Sequence, residues 1–175
     1  MTAAQFAEIA ALPENRHRRL ELRGGKVVEV VSNSYSSEVA AALLGEIYAF
    51  NKIHKLGRVT GADGGYQIGD DRYIPDIAFV PLSRQPERSL EAYSSALPSL
   101  VVEVLSPGND ERDMRIKIAN YLSLGITVWV VDPILFEVEV YAPGERVKVL
   151  RGDDVLDGGD VLPGFRLPIK DIFPQ

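Results

Sequence analysis

Apolar residues recur along this chain with two periods, and the alternation between them predicts the elements. Thr2 can cap a short helix over Ala3–Leu12, with Phe6, Ile9 and Ala10 on one face and Pro13 just past it. Arg19–Leu22 and Lys26–Val31 flank Gly24-Gly25, a two-glycine hairpin turn. Ser34–Ser37 supplies N-cap candidates for a second helix. In it Val39, Leu43, Leu44, Ile47 and Tyr48 mark one face, running to about Asn51–His54 with Gly57 as a stop. Strands are expected at Arg58–Gly61, Tyr66–Ile68 and, after the Gly69-Asp70-Asp71 turn, Ile74–Val80. Residues Ser83–Pro98 read as a loop with a helical turn.

Leu100–Leu105 is a continuous apolar run interrupted only by Glu103, the mark of a buried strand. Ser106-Pro107-Gly108 ends it. Asn109 or Asp110 then caps a helix in which Met114, Ile118, Tyr121 and Leu122 share a face, with Gly125 as its C′ residue. Thr127–Asp132 is another buried strand, so 100–132 forms a strand–helix–strand unit that favours a parallel crossover pair. Phe136–Ala142 and Arg146–Leu150 form a hairpin around Pro143-Gly144, and Gly158–Phe173 is turn-rich. The order predicts one domain over 1–175, α/β or α+β, with a mixed central sheet.

Composition narrows the chemistry. The 175 residues carry 19 Lys+Arg against 25 Asp+Glu, a formal net charge of −6. Without cysteine there is no disulfide scaffold, thiolate zinc site or cysteine nucleophile. Two histidines far apart, His17 and His54, supply a histidine metal site or triad poorly. Apolar runs as short as Val128–Val131 fall far below the roughly 20 residues of a membrane span. The start of the chain lacks the basic character of a signal peptide, which leaves a cytoplasmic protein as the expectation. The acidic balance argues against a non-specific nucleic-acid coat, because phosphate binding is driven by Lys and Arg.

Two carboxylates stand where apolar residues belong. Within Ile74–Val80, Asp76 alternates in phase with Ile74, Ala78 and Val80; within Leu100–Leu105, Glu103 shares a face with Val101 and Leu105. Burying an unpaired carboxylate costs several kcal/mol, so each needs a paired cation, a raised pKa or a bound ion. Pro75 has no N–H for a ladder and marks an edge or bulge beside Asp76. Salt bridges to structural arginines are the alternative explanation. Lys117 lies within the stripe of Met114, Ile118 and Tyr121, bordering the packed face. By helix position alone, a snorkelling lysine or an i,i+4 pair with Asp113 is the better explanation. Taken together, two carboxylates on neighbouring strands can hold Mg²⁺ through oxygen ligands, and an ammonium beside them can orient or deprotonate a water. That is a minimal kit for metal-assisted phosphodiester hydrolysis.

At these residues the sequence resembles a known family. The runs Pro75-Asp76-Ile77-Ala78-Phe79-Val80, Pro98–Pro107, Lys117 with Tyr121 and Gly125, and Val128-Trp129-Val130-Val131-Asp132-Pro133 are similar to the Uma-two family. Leu20-Glu21-Leu22 through Gly25, Gly61–Tyr66 and Leu162-Pro163-Gly164-Phe165 extend the resemblance over nearly the whole chain. Uma-two proteins are endonucleases of the restriction-endonuclease-like PD-(D/E)XK superfamily, common in bacteria. The resemblance implies an α/β restriction-endonuclease-like core with a mixed central sheet flanked by helices. It implies Asp76 and Glu103 as metal ligands and catalytic residues. The superfamily lysine would stand two residues after the glutamate, where this chain has Leu105; Lys117, on the next helix, takes its place. The backbone carbonyl of Leu105 is a further ligand candidate, and Ser37 matches a Ser or His at the start of the first core helix, unless it only caps that helix.

Glu21, Glu38 and Glu46 are candidates for a third acid. Glu38 and Glu46 are about 80° apart on their helix, so only one can face a site beneath it. Arg16, Arg18 and Arg19, then Lys52, Lys55 and Arg58, then Arg112 and Arg115 form short basic clusters that could meet phosphates or simply be solvated. The expectation is a Mg²⁺-dependent endonuclease (Mn²⁺ as substitute) acting on DNA, with Asp76, Glu103 and Lys117 in the site. Cutting both strands of a duplex would favour a twofold homodimer. A catalytically inactive binding module on the same fold, with a site carboxylate paired to an arginine, is one rival. A metal-dependent hydrolase of smaller phosphate esters is the other.

Overall fold

A computed structural model describes residues 1–107 and 110–174. Helix α1 (Ala3–Ala10) opens on a capping box in which the Thr2 and Gln5 side chains each accept from the other's backbone N–H. It ends two residues before the expected boundary. Strands β1 (Leu20–Arg23) and β2 (Lys26–Glu29) form the predicted hairpin, with Gly24 and Gly25 both at positive φ. Helix α2 (Ser34–His54) is capped by Asn33, whose side chain accepts from the Ser36 N–H.

The expected stop at Gly57 is corrected. Lys55 closes α2 in the left-handed region (φ 54°), while the Asn51 side chain binds the Leu56 and Gly57 N–H groups and the Gly57 carbonyl. Gly57 instead opens β3 (Gly57–Thr60), where a Cβ would lie 2.3 Å from the Val80 carbonyl oxygen. Its role is close strand approach.

Strands β4 (Gly65–Ile68), β5 (Asp71–Tyr73) and β6 (Ile77–Pro81) follow. The expected strand Ile74–Val80 therefore begins only at Ile77, because Pro75 cannot donate to a ladder and Ile74-Pro75-Asp76 carries the chain from one sheet to another. In the 83–98 loop the ordered piece is a two-residue strand, β7 (Tyr93–Ser94), rather than a helical turn. Then come β8 (Leu100–Val104), α3 (Glu111–Ser123) and β9 (Thr127–Asp132). Asp110 caps α3 by accepting from the Arg112 and Asp113 N–H groups; the other cap candidate, Asn109, lies outside the described residues. Hairpin β10 (Glu137–Tyr141) and β11 (Lys148–Arg151) and the small pair β12 (Val155–Asp157) and β13 (Arg166–Pro168) complete the chain.

The central sheet runs β11-β10-β9-β8-β6-β3 and is mixed, since β8 and β9 are parallel and the other pairs antiparallel. A second sheet runs β2-β1-β5-β4-β7. Alternation sends Leu100, Val102 and Val104 of β8 into a cluster with Val39, Leu43 and Ile47 of α2, joined by Ile77, Phe79, Trp129 and Val131. The opposite face gathers Ala78, Val80, Val101, Val128 and Val130 against Ile118 and Tyr121 of α3. Glu103 belongs to that second face. A third, smaller cluster packs Phe6 of α1 on Leu20 and Leu22 of β1. Among the described residues no helix is long and apolar enough to cross a membrane.

Candidate active site

The break between β5 and β6 and the C-terminal end of β8 meet under α3, and each supplies one carboxylate. Asp76 is held by its Oδ2, which accepts the Val104 N–H at 2.8 Å. Glu103 stands on β8 with its Oε1 accepting from the Lys117 ammonium at 2.7 Å and from the Tyr121 hydroxyl at 2.8 Å. Asp76, Glu103 and Lys117 line one cavity of about 30 Å³, room for roughly one water-sized occupant. The three predicted site residues are thus brought together. Asp76 lies just ahead of β6 rather than within a strand, because the turn at Pro75 re-aims it.

Lys117 is only 3% exposed, so it is neither snorkelling nor paired with Asp113. Its Nζ lies between Glu103 and the Glu21 Oε1, 3.3 Å away, and sits 5.2 Å from the centre of the Tyr73 ring. Burial pulls the Lys117 pKa down, but the attraction of Glu103 and Glu21 outweighs it and the net direction is up. The ammonium is therefore charged at neutral pH. Burial pushes Glu103 up to about 7, with Glu21 and Asp76 repelling its charge and Lys117 opposing the rise. Burial also raises Asp76, against the Val104 N–H, Lys117 and Arg19, which favour its charged form.

Glu21 is the third acid near the site, and it is fully buried. Its Oε1 also accepts the Ile74 N–H at 2.6 Å, and its Oε2 pairs with Arg23, which reaches to 3.9 Å from Asp113. The other two candidates, Glu38 and Glu46, are exposed. Behind the lysine, Asp71 accepts from the Gly24 N–H, the Tyr73 hydroxyl and Asn120, tying hairpin β1–β2 to α3.

Ser37 is exposed, and the expectation placed on it moves one residue. Ser36 is the buried hydroxyl, and it donates to the Leu105 carbonyl at 2.8 Å. The helical phase carries that signal, since Ser36 lies three residues before Val39 on the stripe that continues through Leu43 and Ile47. Leu105 does not line the cavity, although its neighbours Val104 and Ser106 do.

Several basic candidates serve the fold. Arg18 pairs with Glu29, Arg19 donates to the Ala62 carbonyl, Arg58 to the Gln85 and Pro86 carbonyls, and Arg115 to Glu111. Arg112 instead joins Arg23, Lys26 and Lys117 along a recess of about 380 Å³ between the hairpin and α3.

The donor chemistry suits a hard cation. Among the described residues no group of three or more His, Cys, Asp and Glu side chains gathers to hold a metal. Two carboxylates facing a small cavity match an ion that keeps several waters and takes one or two protein carboxylates, which is the habit of Mg²⁺. Lys117 occupies the space between Glu21 and Glu103, so Glu21 serves as the partner of the lysine rather than as a third ligand.

Comparison with known proteins gives a family and a fold. The family model Uma2, described as "Putative restriction endonuclease", matches residues 4–170. No curated protein matches the sequence. The structure is similar to a crystal structure titled as a "putative nuclease belonging to DUF820" from Anabaena variabilis, with a TM-score of 0.86 at 23% identity. The match covers 99% of this chain and 97% of that one.

Proposed function

The chain belongs to the Uma2 family of restriction-endonuclease-like proteins, and on that footing we propose that it is a Mg²⁺-dependent endonuclease that hydrolyses DNA phosphodiester bonds. The observation that carries this reading is the Lys117 ammonium, buried 2.7 Å from Glu103 and sharing one cavity with Asp76. Asp76 and Glu103 would hold the ion. When bound, the ion supplies Lewis acidity towards a phosphoryl oxygen and lowers the pKa of water.

The protein's own groups do the rest. Lys117 stays protonated between two glutamates, so it acts as a fixed positive charge that orients the attacking water and offsets charge on the phosphoryl group. It does not need to act as a base. Glu21 and the Tyr73 ring hold the ammonium in place, and Tyr121 and the Val104 N–H hold the carboxylates. Lys26 and Arg112, along the recess between the hairpin and α3 that Asp110 and Asp113 also line, offer positive charge to a polynucleotide backbone. The rival of a binding module expected Asp76 or Glu103 to be paired with an arginine; among the described residues Arg23 pairs with Glu21 instead.

Incubation with supercoiled plasmid and Mg²⁺ tests the reading. Wild-type protein should nick or linearise the DNA. Asp76→Ala and Glu103→Ala should each lose about 10³-fold or more in rate, the scale of removing a main source of electrostatic catalysis. Cleavage that persists in both variants sinks the assignment. Hydrolysis of a small phosphodiester with no action on plasmid would favour a smaller ester as substrate.

A further inference from the structure

We propose that Tyr121 sets the ion preference of this site by capping one oxygen of Glu103, so that the carboxylate can offer an ion only the other. The proposal rests on the reading of Asp76 and Glu103 as ion ligands. Tyr121 is fully buried, one turn after Lys117 on α3, and its ring packs edge-to-face on Tyr73 with centres 5.4 Å apart. Its hydroxyl donates to Glu103 Oε1 at 2.8 Å, and the Lys117 ammonium binds the same oxygen at 2.7 Å. Two donors therefore saturate Oε1.

Glu103 Oε2 has no hydrogen-bond partner among the described residues. No fully buried side-chain oxygen among them is left unpartnered, so Oε2 meets accessible space at the cavity. Asp76 differs, since its Oδ2 accepts only the Val104 N–H and keeps an acceptor site. Glu103 is therefore the carboxylate limited to one oxygen.

Ion chemistry converts this into selectivity. Ca²⁺ takes six to eight oxygens at about 2.3–2.6 Å and commonly uses both oxygens of a carboxylate. Mg²⁺ takes six at about 2.0–2.1 Å, accepts single carboxylate oxygens and retains its waters. A glutamate limited to one oxygen, facing a small cavity, meets the second requirement and not the first. Tyr121 is a positioning residue in this scheme, since it acts through Glu103 and touches neither ion nor substrate.

Calorimetric titration of Mg²⁺ and Ca²⁺ into the full chain reads the preference without any cleavage. Wild-type protein should bind Mg²⁺ in preference to Ca²⁺. Tyr121→Phe keeps the ring and removes the donor, and it should shift the affinity ratio towards Ca²⁺ by about tenfold, the low end of effects from groups that orient metal ligands. An unchanged ratio in Tyr121→Phe overturns the proposal, as does a wild-type protein that binds both ions equally; the metal-site reading survives either result. Wild-type protein that binds neither ion overturns both. Infrared spectra of ion-loaded wild-type protein test the same point without a variant. Carboxylate bands split widely, as for one-oxygen ligands, support the cap, and the narrow splitting of two-oxygen ligands refutes it.

Discussion

The two faces of the central sheet use the same strands for opposite ends. Towards α2, Leu100, Val102 and Val104 meet Leu43, Ile47 and Trp129 in a wholly apolar cluster. Towards α3, the alternate position Glu103 meets Lys117 and Tyr121. A period of two places both sets on one strand, so a single backbone supports a stabilising face and a chemical face. The contrast shows how a buried charge cluster is tolerated. Glu103 and Lys117 need not contribute net stability, because a charge pair taken out of water roughly breaks even at best, while the opposite face supplies apolar burial in full.

The largest expected effect tests the apolar face. Trp129→Ala should lower unfolding free energy by about 3–5 kcal/mol in urea titrations, with or without Mg²⁺. A loss that Mg²⁺ rescues would mean the faces are not separable. Lys117→Met tests the chemical face. Leaving buried Glu103 without its cation, and Glu21 with Arg23 alone, should cost up to about 3–5 kcal/mol and remove plasmid cleavage. Replacing Glu21, Glu103 and Lys117 together by Gln, Gln and Met should restore stability to the wild-type level or above without restoring cleavage. A triple variant less stable than Lys117→Met would show that the cluster holds the fold together.

The next effect is pH dependence. Glu103 is raised from an ordinary 4.5 to about 7. A raised acid contributes stability that is fully present below the lower value and lost as pH rises through the upper one. Ion-free protein should therefore lose stability between about pH 5 and pH 8, on the order of 3 kcal/mol from this group. Glu103→Gln should flatten that decline, and a decline of the same size in the variant would assign it elsewhere. Ser36→Ala is the smallest change. Loss of its hydrogen bond to the Leu105 carbonyl should cost about 1 kcal/mol in the same titrations.

What could be read from the sequence follows from this division. Asp76 and Glu103 were visible because a carboxylate interrupts an apolar run, and Lys117 because it shares the helical stripe of Ile118 and Tyr121. Glu21 was harder to place. Leu20-Glu21-Leu22 alternates like a strand with one wet face, yet β1 is covered on both faces, by α1 on one and by the site under α3 on the other. Ser36 was legible from helical phase, but capping offered an equal explanation for a run of serines. The late start of the strand expected over Ile74–Val80 was announced by Pro75. The direction the chain takes there, from one sheet to the other, depends on Glu21 capturing the Ile74 N–H across 53 residues of chain.

The contact between Glu21 and Lys117 spans 96 residues. Contacts of such long sequence separation form late, after the intervening loop has been closed. A ribosome making this chain from its N-terminus delivers Glu21, then Asp76, then Glu103, and the charge that organises them only afterwards. Until α3 has emerged and docked, the growing chain carries carboxylates without their lysine. A chain whose synthesis stops short of that helix also lacks β9, β10 and β11 of the central sheet, so the charged cluster is completed only in molecules that have nearly finished folding.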